Sequence, residues 1–296
     1  MNRCLFNIES SPKFATNQAM TTNNHSNLSI LDRIVAAKRK RISADKIATS
    51  PGAMFSAAED ANQAQTALAF DQAISAPSAI SVIAEMKRSS PSAGVMDTTL
   101  DPAKRAETYC RAGAAAISVL TEQDFFQGTI SDLQSASTVA HQHNVAVLEK
   151  DFVVDDYQIY QARAAGADTV LLIIAILDPG QYADLYTVSK GLGMEPLVEV
   201  FDEHELEIAL TAAEPRIVGV NNRNLKTLTT SLDVFPRLAK RIPDDVVKVA
   251  ESGMRSADDV KRMADAGAKA VLVGESLMNA DGDPTELISQ MAAITV

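Results

Sequence analysis

The sequence predicts an α/β protein, a (β/α)8 TIM barrel with an additional N-terminal helical segment. Three observations carry that expectation. The chain has 296 residues, enough for one large barrel. Eight runs rich in Val, Ile and Leu recur along it, and helical stretches separate them. The runs are near-continuously apolar rather than alternating, as expected of strands covered on both faces of a parallel sheet.

Residues 1 to 27 are rich in Asn, Ser and Thr without apolar periodicity, so they read as a flexible tail. Residues 28 to 296 read as a single barrel domain that includes N-terminal helices over 28 to 75. Leu28 to Ile47 has the apolar spacing of an amphipathic helix and carries the basic run Lys38-Arg39-Lys40-Arg41, read as a solvated helix face. A second helical stretch runs from Met54 to about Ala73 and ends before a turn around Pro77.

The eight strands are Val82 to Lys87, Ala116 to Thr121, Val145 to Lys150, Thr169 to Leu177, Pro196 to Val200, Ile217 to Asn222, Val246 to Ala250 and Ala270 to Gly274. Asp101-Pro102 and Asp178-Pro179 are helix starts, with Asp capping the first amides and Pro at the first helical position. Gly113-Ala114, Gly166-Ala167 and Gly267-Ala268 fit helix ends that lead into the next strand. A doubly wound open sheet is the competing architecture. No G-x-G-x-x-G turn follows the first strand, and eight successive units close naturally, so the barrel is preferred.

Composition narrows the function. Hydrophobic residues are 46% and charged residues 22%, as in an ordinary folded enzyme. A net charge of −11 argues against a broad electrostatic grip on nucleic acid or anionic lipid. The longest apolar run, Val170 to Leu177, is far too short to span a bilayer, so no membrane partner is expected. Cys4 and Cys110 are too few for a disulfide framework or a four-cysteine zinc site. With no apolar export segment near the N-terminus, a cytoplasmic location follows. His141 and His143, two apart, point away from each other on a helix and read as solvated; His25 and His204 have no partners in sequence. Cys110 reads as a core thiol.

In a barrel of this kind the reacting groups sit at the C-terminal strand ends. Here those ends read Glu85-Met86-Lys87, Glu149-Lys150-Asp151, Glu199, Asn221-Asn222-Arg223, Glu251-Ser252-Gly253 and Gly274-Glu275-Ser276. Ionisable groups inside apolar strands are costly unless paired, so their recurrence at one end points to a shared site. Glu85 and Lys87 lie two apart and share a face. Lys87, Lys150 and Arg223 gather on one rim of an acidic protein, as an anion site requires. The glycines that follow the seventh and eighth strands suit a phosphate held by backbone amides. Phe125 and Phe126, after the second strand, serve either packing or an aromatic wall for a ring-bearing substrate.

The segments IAEMKRSSPSAG (83 to 94), ISVLTEQDFFQG (117 to 128), LEKDF (148 to 152), ADTVLLI (167 to 173), EPLVEV (195 to 200), GVNNRNL (219 to 225), VAESG (249 to 253) and VGESLM (273 to 278) occur in barrel order. With ILDRIVAAKR at 30 to 39, they resemble the indole-3-glycerol-phosphate synthase family over about residues 28 to 290. The resemblance implies a carboxy-lyase of tryptophan biosynthesis. It would close 1-(2-carboxyphenylamino)-1-deoxyribulose 5-phosphate, a phosphosugar-anthranilate, to indole-3-glycerol phosphate with loss of carbon dioxide and water.

It further implies Lys150 as general acid, Glu199 as general base and Lys87 on the substrate carboxylate with a share of the acid role, while Glu85 and Asn221 orient these groups. Substrate binding would fall to Ser90, Phe126, Leu171, Arg223, Ser252, Gly253, Gly274 and Glu275, with Glu275 acting only through its backbone amide because its carboxylate would repel a phosphate. No metal and no organic cofactor are implied. The N-terminal helix would lie over the catalytic face, its basic run helping to close the mouth. The chain ends soon after the eighth strand, so the isomerase sometimes fused to this enzyme is expected to be absent, and a monomer or loose homo-oligomer is expected. Another phosphosugar barrel, such as phosphoribosylanthranilate isomerase or an aldolase, and a barrel that binds a phosphorylated ligand without turning it over are the competing readings.

Overall fold

In a computed structural model of the chain, which describes residues 28–76, 78–278 and 284–296, eight parallel strands close into a barrel. They are β1 (Ser81–Met86), β2 (Ala116–Leu120), β3 (Ala146–Lys150), β4 (Thr169–Ile173), β5 (Leu197–Val200), β6 (Ile217–Asn221), β7 (Val247–Glu251) and β8 (Ala270–Val273). Each pairs with its neighbours in chain order, and β1 closes the ring against β8 with Ser81 opposite Ala270 and Ala84 opposite Val273. The expected tail over residues 1 to 27, with Cys4 and His25, and the turn at Pro77 lie outside the described residues.

Strand periodicity divides the core into two layers. Ile83, Ala116, Ala146, Leu148, Leu171, Leu197, Ile217, Val249 and Leu272 fill the lumen. The alternate residues, such as Val82, Ile117, Val147, Val198 and Val271, pack outward against the helices. The helices between strands begin where capping chemistry places them: α4 (Pro102–Arg111) is capped by Asp101 and the helix Pro179–Gly191 by Asp178. Cys110, half-buried beside the outer core, has its thiol pushed up to about 11, first by burial.

Three sequence expectations are corrected. The stretch from Met54 to Ala73 is two helices, α2 (Pro51–Ala64) and α3 (Phe70–Ala73). Between them the Leu68 amide donates to Asp168 Oδ1 at 2.8 Å and Arg163 donates to the Gln65 carbonyl, which turns the chain beneath the barrel. Phe70 and Ile74 then plug the lumen's lower end. The fourth strand stops at Ile173, and Ile174–Ile176 form a 3-10 turn. His141 is not simply solvated: it is part-buried with Nε2 2.9 Å from the buried Asp168 carboxylate, while His143 meets Glu107 at 2.7 Å.

The basic run also divides. On α1 (Ile30–Ala48), Lys38 is buried and donates to Asp151 Oδ2 at 2.8 Å, so it is no solvated face; Arg41 reaches Asp124 at 2.9 Å. One and two turns before Lys38, Ile34 and Leu31 pack into the upper lumen cluster.

Candidate active site

The upper end of the lumen opens into a cavity of about 990 Å³, counting its open mouth. Every residue named from the sequence as catalytic or substrate-binding lines it: Glu85, Lys87, Ser90, Phe126, Lys150, Leu171, Glu199, Asn221, Arg223, Ser252, Gly253, Gly274 and Glu275. Strand alternation explains the convergence. Ile83, Leu148, Leu197 and Val249 face the lumen, so Glu85, Lys150, Glu199 and Glu251 two residues later face it again, one layer higher.

At the centre, Lys150 Nζ donates to Glu199 Oε2 at 3.0 Å and to Glu251 Oε2 at 3.1 Å. Asn221 Nδ2 donates to Glu199 Oε1 at 3.1 Å, fixing the orientation of that carboxylate. Burial works against the charge on Lys150, but Glu199, Glu251 and Glu85 outweigh it and raise its pKa. Burial likewise pushes the Glu251 carboxyl up, with the Lys150 ammonium pulling it back and Glu199 adding to the rise. Two carboxyls around one ammonium in a dry pocket favour retention of a proton by the group.

Glu251 belongs to this cluster, yet the sequence marked it only as a strand end. Its signal was there: it stands two residues beyond the lumen-facing Val249. Its neighbour strand makes room for it. A Cβ on Gly219 would lie 2.0 Å from Glu251 Oε1, so any side chain there would push that carboxylate out of its place. Gly274 performs the same service for Glu85, whose Oε1 would meet a Cβ at 2.4 Å. Glu85 in turn accepts from Lys87 Nζ at 2.5 Å, which holds that ammonium over the cavity.

The apolar wall comes from two directions. Phe126 and Phe152 have ring centroids 6.0 Å apart, and Ile30, Leu31 and Ile34 of α1 join them above Leu171 and Ile173. Phe125 and Phe126 are set by the buried carboxylate of Glu122, which accepts their backbone amides at 2.7 and 3.1 Å. Glu122 and Phe152 were not singled out from the sequence: Glu122 acts locally, through amides three and four residues along its own loop, and Phe152 gains its role only where its loop meets Phe126. Phe125 does not line the cavity; it packs against the lumen cluster with Arg33 over its ring, 5.7 Å from guanidinium to ring centre.

At the opposite rim, Ser252, Gly253, Gly274 and Glu275 border the cavity with Ser90 and Arg223. Ser252 has a φ of 63°, a strained value for a non-glycine residue that is often found at functional sites. Ser90 accepts from the Ala93 amide at 3.1 Å and so shapes the loop after β1. The Glu275 side chain is engaged by the protein itself: its Oε2 accepts from Arg223 at 2.7 Å. Among the described residues no group of three or more His, Cys, Asp or Glu side chains could hold a metal ion, and no helix is long and apolar enough to cross a membrane.

The arrangement offers a fixed ammonium beside a fixed carboxylate, a second ammonium nearby, an aromatic wall on one side and an arginine with glycine-rich turns on the other. A flat ring, a carboxylate and a phosphate on one small molecule would each find a matching surface.

A family model described as indole-3-glycerol phosphate synthase matches residues 31–290. The indole-3-glycerol phosphate synthase of Nocardioides sp. (strain ATCC BAA-499 / JS614) is 46% identical over 267 residues, 90% of this chain and 99% of that one. That of Carboxydothermus hydrogenoformans is 40% identical over 267 residues, 89% of this chain and 99% of its own. Among solved structures, 3-hexulose-6-phosphate synthase from Salmonella typhimurium superposes with a TM-score of 0.56 at 14% identity, covering 73% of this chain and 98% of that one. Thiamine phosphate pyrophosphorylase from Pyrococcus furiosus gives a TM-score of 0.56 at 12% identity, covering 72% and 94%. At such identities these two speak for the fold alone.

Proposed function

The chain belongs to the indole-3-glycerol phosphate synthase family, a family of decarboxylating lyases in tryptophan biosynthesis, and from that premise we propose how its residues divide the work. The reaction joins a ring carbon of 1-(2-carboxyphenylamino)-1-deoxyribulose 5-phosphate to the ketone carbon, releases carbon dioxide, then loses water to give indole-3-glycerol phosphate.

Lys150 is the general acid. Its ammonium, bracketed by Glu199 and Glu251, is held protonated and points into the cavity, so it can give a proton to the ketone oxygen as the new bond forms. This bracketed ammonium is the observation that carries the reading. Glu199 is the general base, taking a proton from the closed ring as water departs; Asn221 keeps it aimed. Lys87, steadied by Glu85, binds the substrate carboxylate and can share the acid role. Phe126 and Leu171 hold the ring, and Ser90, Arg223, Ser252, Gly253, Gly274 and the Glu275 amide hold the phosphate end. Fixing ring carbon against ketone supplies the rest of the acceleration by proximity. No metal or organic cofactor takes part in this reading. The enzyme acts in the cytoplasm as a monomer or loose homo-oligomer without a nucleic-acid partner, which the two cysteines and the net charge of −11 support.

The two roles separate in a quenched-flow experiment that follows carbon dioxide and indole product independently. Lys150→Met should slow both by about 10² to 10⁴-fold. Glu199→Gln should slow indole formation more than carbon dioxide release. Equal slowing of both events in Glu199→Gln would remove it from the dehydration step.

A further inference from the structure

Arg223 stands where the substrate phosphate is read to bind, yet each of its three guanidinium nitrogens already donates to the protein. Nε donates to Thr230 Oγ1 at 3.2 Å, one terminal nitrogen donates to Ser92 Oγ, and the other donates to Glu275 Oε2 at 2.7 Å. The three partners come from the loop after β1, the loop after β6 and the turn after β8, so one side chain ties three rim segments together. Arg223 is itself anchored, its amide donating to Asn221 Oδ1 at 2.9 Å. The pair is only partly shielded, with 19% of the arginine and 33% of the glutamate side chain exposed, so an incoming anion can reach it.

A carboxylate at a phosphate-binding rim is otherwise hard to explain, because it repels the ligand. We propose that Glu275 is an internal stand-in for the substrate phosphate: its carboxylate occupies Arg223 in the free enzyme and must yield it when the phosphate arrives. Rupture of the Arg223–Glu275 contact frees the guanidinium for the phosphate, while the Ser92 contact keeps the loop after β1 drawn over the site. The Glu275 carboxyl is held below the usual range, first by its bond from Arg223 and further by the nearby Lys87 and Arg255, so it stays an anion at neutral pH.

The consequence is a raised threshold. An internal competitor reduces the apparent affinity for every phosphate by the fraction of time Arg223 is free. The factor is the same for a bare phosphate ion and for the whole substrate, but the substrate has contacts to the aromatic wall and to Lys87 that keep its binding strong. Glu275 thus lifts the phosphate concentration needed to occupy the site and leaves the substrate bound. The inference rests on the reading of Arg223 as a phosphate contact, and its test separates the two.

Inhibition by inorganic phosphate and the KM for the carboxyphenylamino-deoxyribulose phosphate should be measured in wild type, Glu275→Gln, Arg223→Met and the double variant, with melting curves to confirm folding. Glutamine keeps the size and the acceptor but drops the charge. Glu275→Gln should lower the phosphate inhibition constant by about 3- to 10-fold and lower KM by a similar factor. Arg223→Met should raise both, and in its background Glu275→Gln should give little further gain. Were phosphate inhibition unchanged or weaker in Glu275→Gln while Arg223→Met raises both constants, the stand-in would be overturned and the phosphate site would stand. An equal gain with and without Arg223 would reduce Glu275 to simple repulsion and overturn the proposal. No effect of Arg223→Met would remove the phosphate contact itself, and the proposal with it.

Discussion

Glu149 and Lys150 are neighbours in sequence and serve opposite faces of one strand. Lys150 turns into the lumen, whereas Glu149 turns outward and is fully buried, with Thr121 Oγ1 donating to its Oε1 at 3.1 Å and its Oε2 without a hydrogen-bond partner. Burial pushes its carboxyl up to about 8, the nearby Asp151 adds to the rise and Lys38 opposes it. The folded protein therefore keeps a proton that the unfolded chain gives up above the ordinary value of 4.5, so this group's contribution to stability is greatest below that value and is lost as pH rises toward about 8. Glu149→Gln, which retains an acceptor for Thr121 and cannot ionise, should flatten the fall in denaturation midpoint across that window; an unchanged slope would place the proton elsewhere. At this scale the sequence exposed the inward residues well, because polar side chains at the ends of apolar strands stand out. It could not show that Asp151, one residue on, is claimed by Lys38 from a helix more than a hundred positions earlier.

Helix α1 is the element whose position most directly shapes the site. Its apolar face reaches the cavity through Ile30, Leu31 and Ile34, and three ion pairs hold it there: Lys38 to Asp151, Arg41 to Asp124 and Lys46 to Asp155, at 2.8, 2.9 and 2.8 Å. The first is buried, and breaking a buried pair by removing one partner costs about 3–5 kcal/mol. Asp151 also accepts from the Phe152 amide, so the damage would spread into the aromatic wall. Lys38→Met should lower stability by that order and raise KM more than it lowers kcat, with Lys38→Arg recovering part of the loss. Denaturant melts and steady-state kinetics check it; an unaltered KM would leave Lys38 a purely structural anchor. Helix α3 is the counterexample at the far end. Phe70 is 1% exposed beneath the lumen, so Phe70→Ala should cost about 3–5 kcal/mol of stability by the same melts and leave KM unchanged. The pattern of apolar residues predicted helix here, and helix is present; the break at Gln65 to Ala69 was invisible because the partners that bend the chain, Arg163 and Asp168, lie about a hundred residues away.

The described residues build a barrel whose eight strands close into a ring and whose upper lumen changes from apolar filling to charge over a single layer. That change was legible in the sequence as apolar runs ending in Glu, Lys or Asn, and the capped helix starts at Asp101 and Asp178 set the rhythm between them. What it could not convey was traffic between non-neighbouring loops, such as the Arg223 link from Ser92 to Glu275. The protein carries a net charge of −11, so it attracts its anionic substrate through local cations rather than through its overall field. The account turns on Lys150 as the proton donor at the centre of this layer. The most direct test is indole-fluorescence turnover of Lys150→Met beside wild type, with the substrate dissociation constant measured on both. The account predicts kcat lower by about 10² to 10⁴-fold with binding changed far less. Turnover within a few-fold of wild type would contradict it and shift the acid role to Lys87.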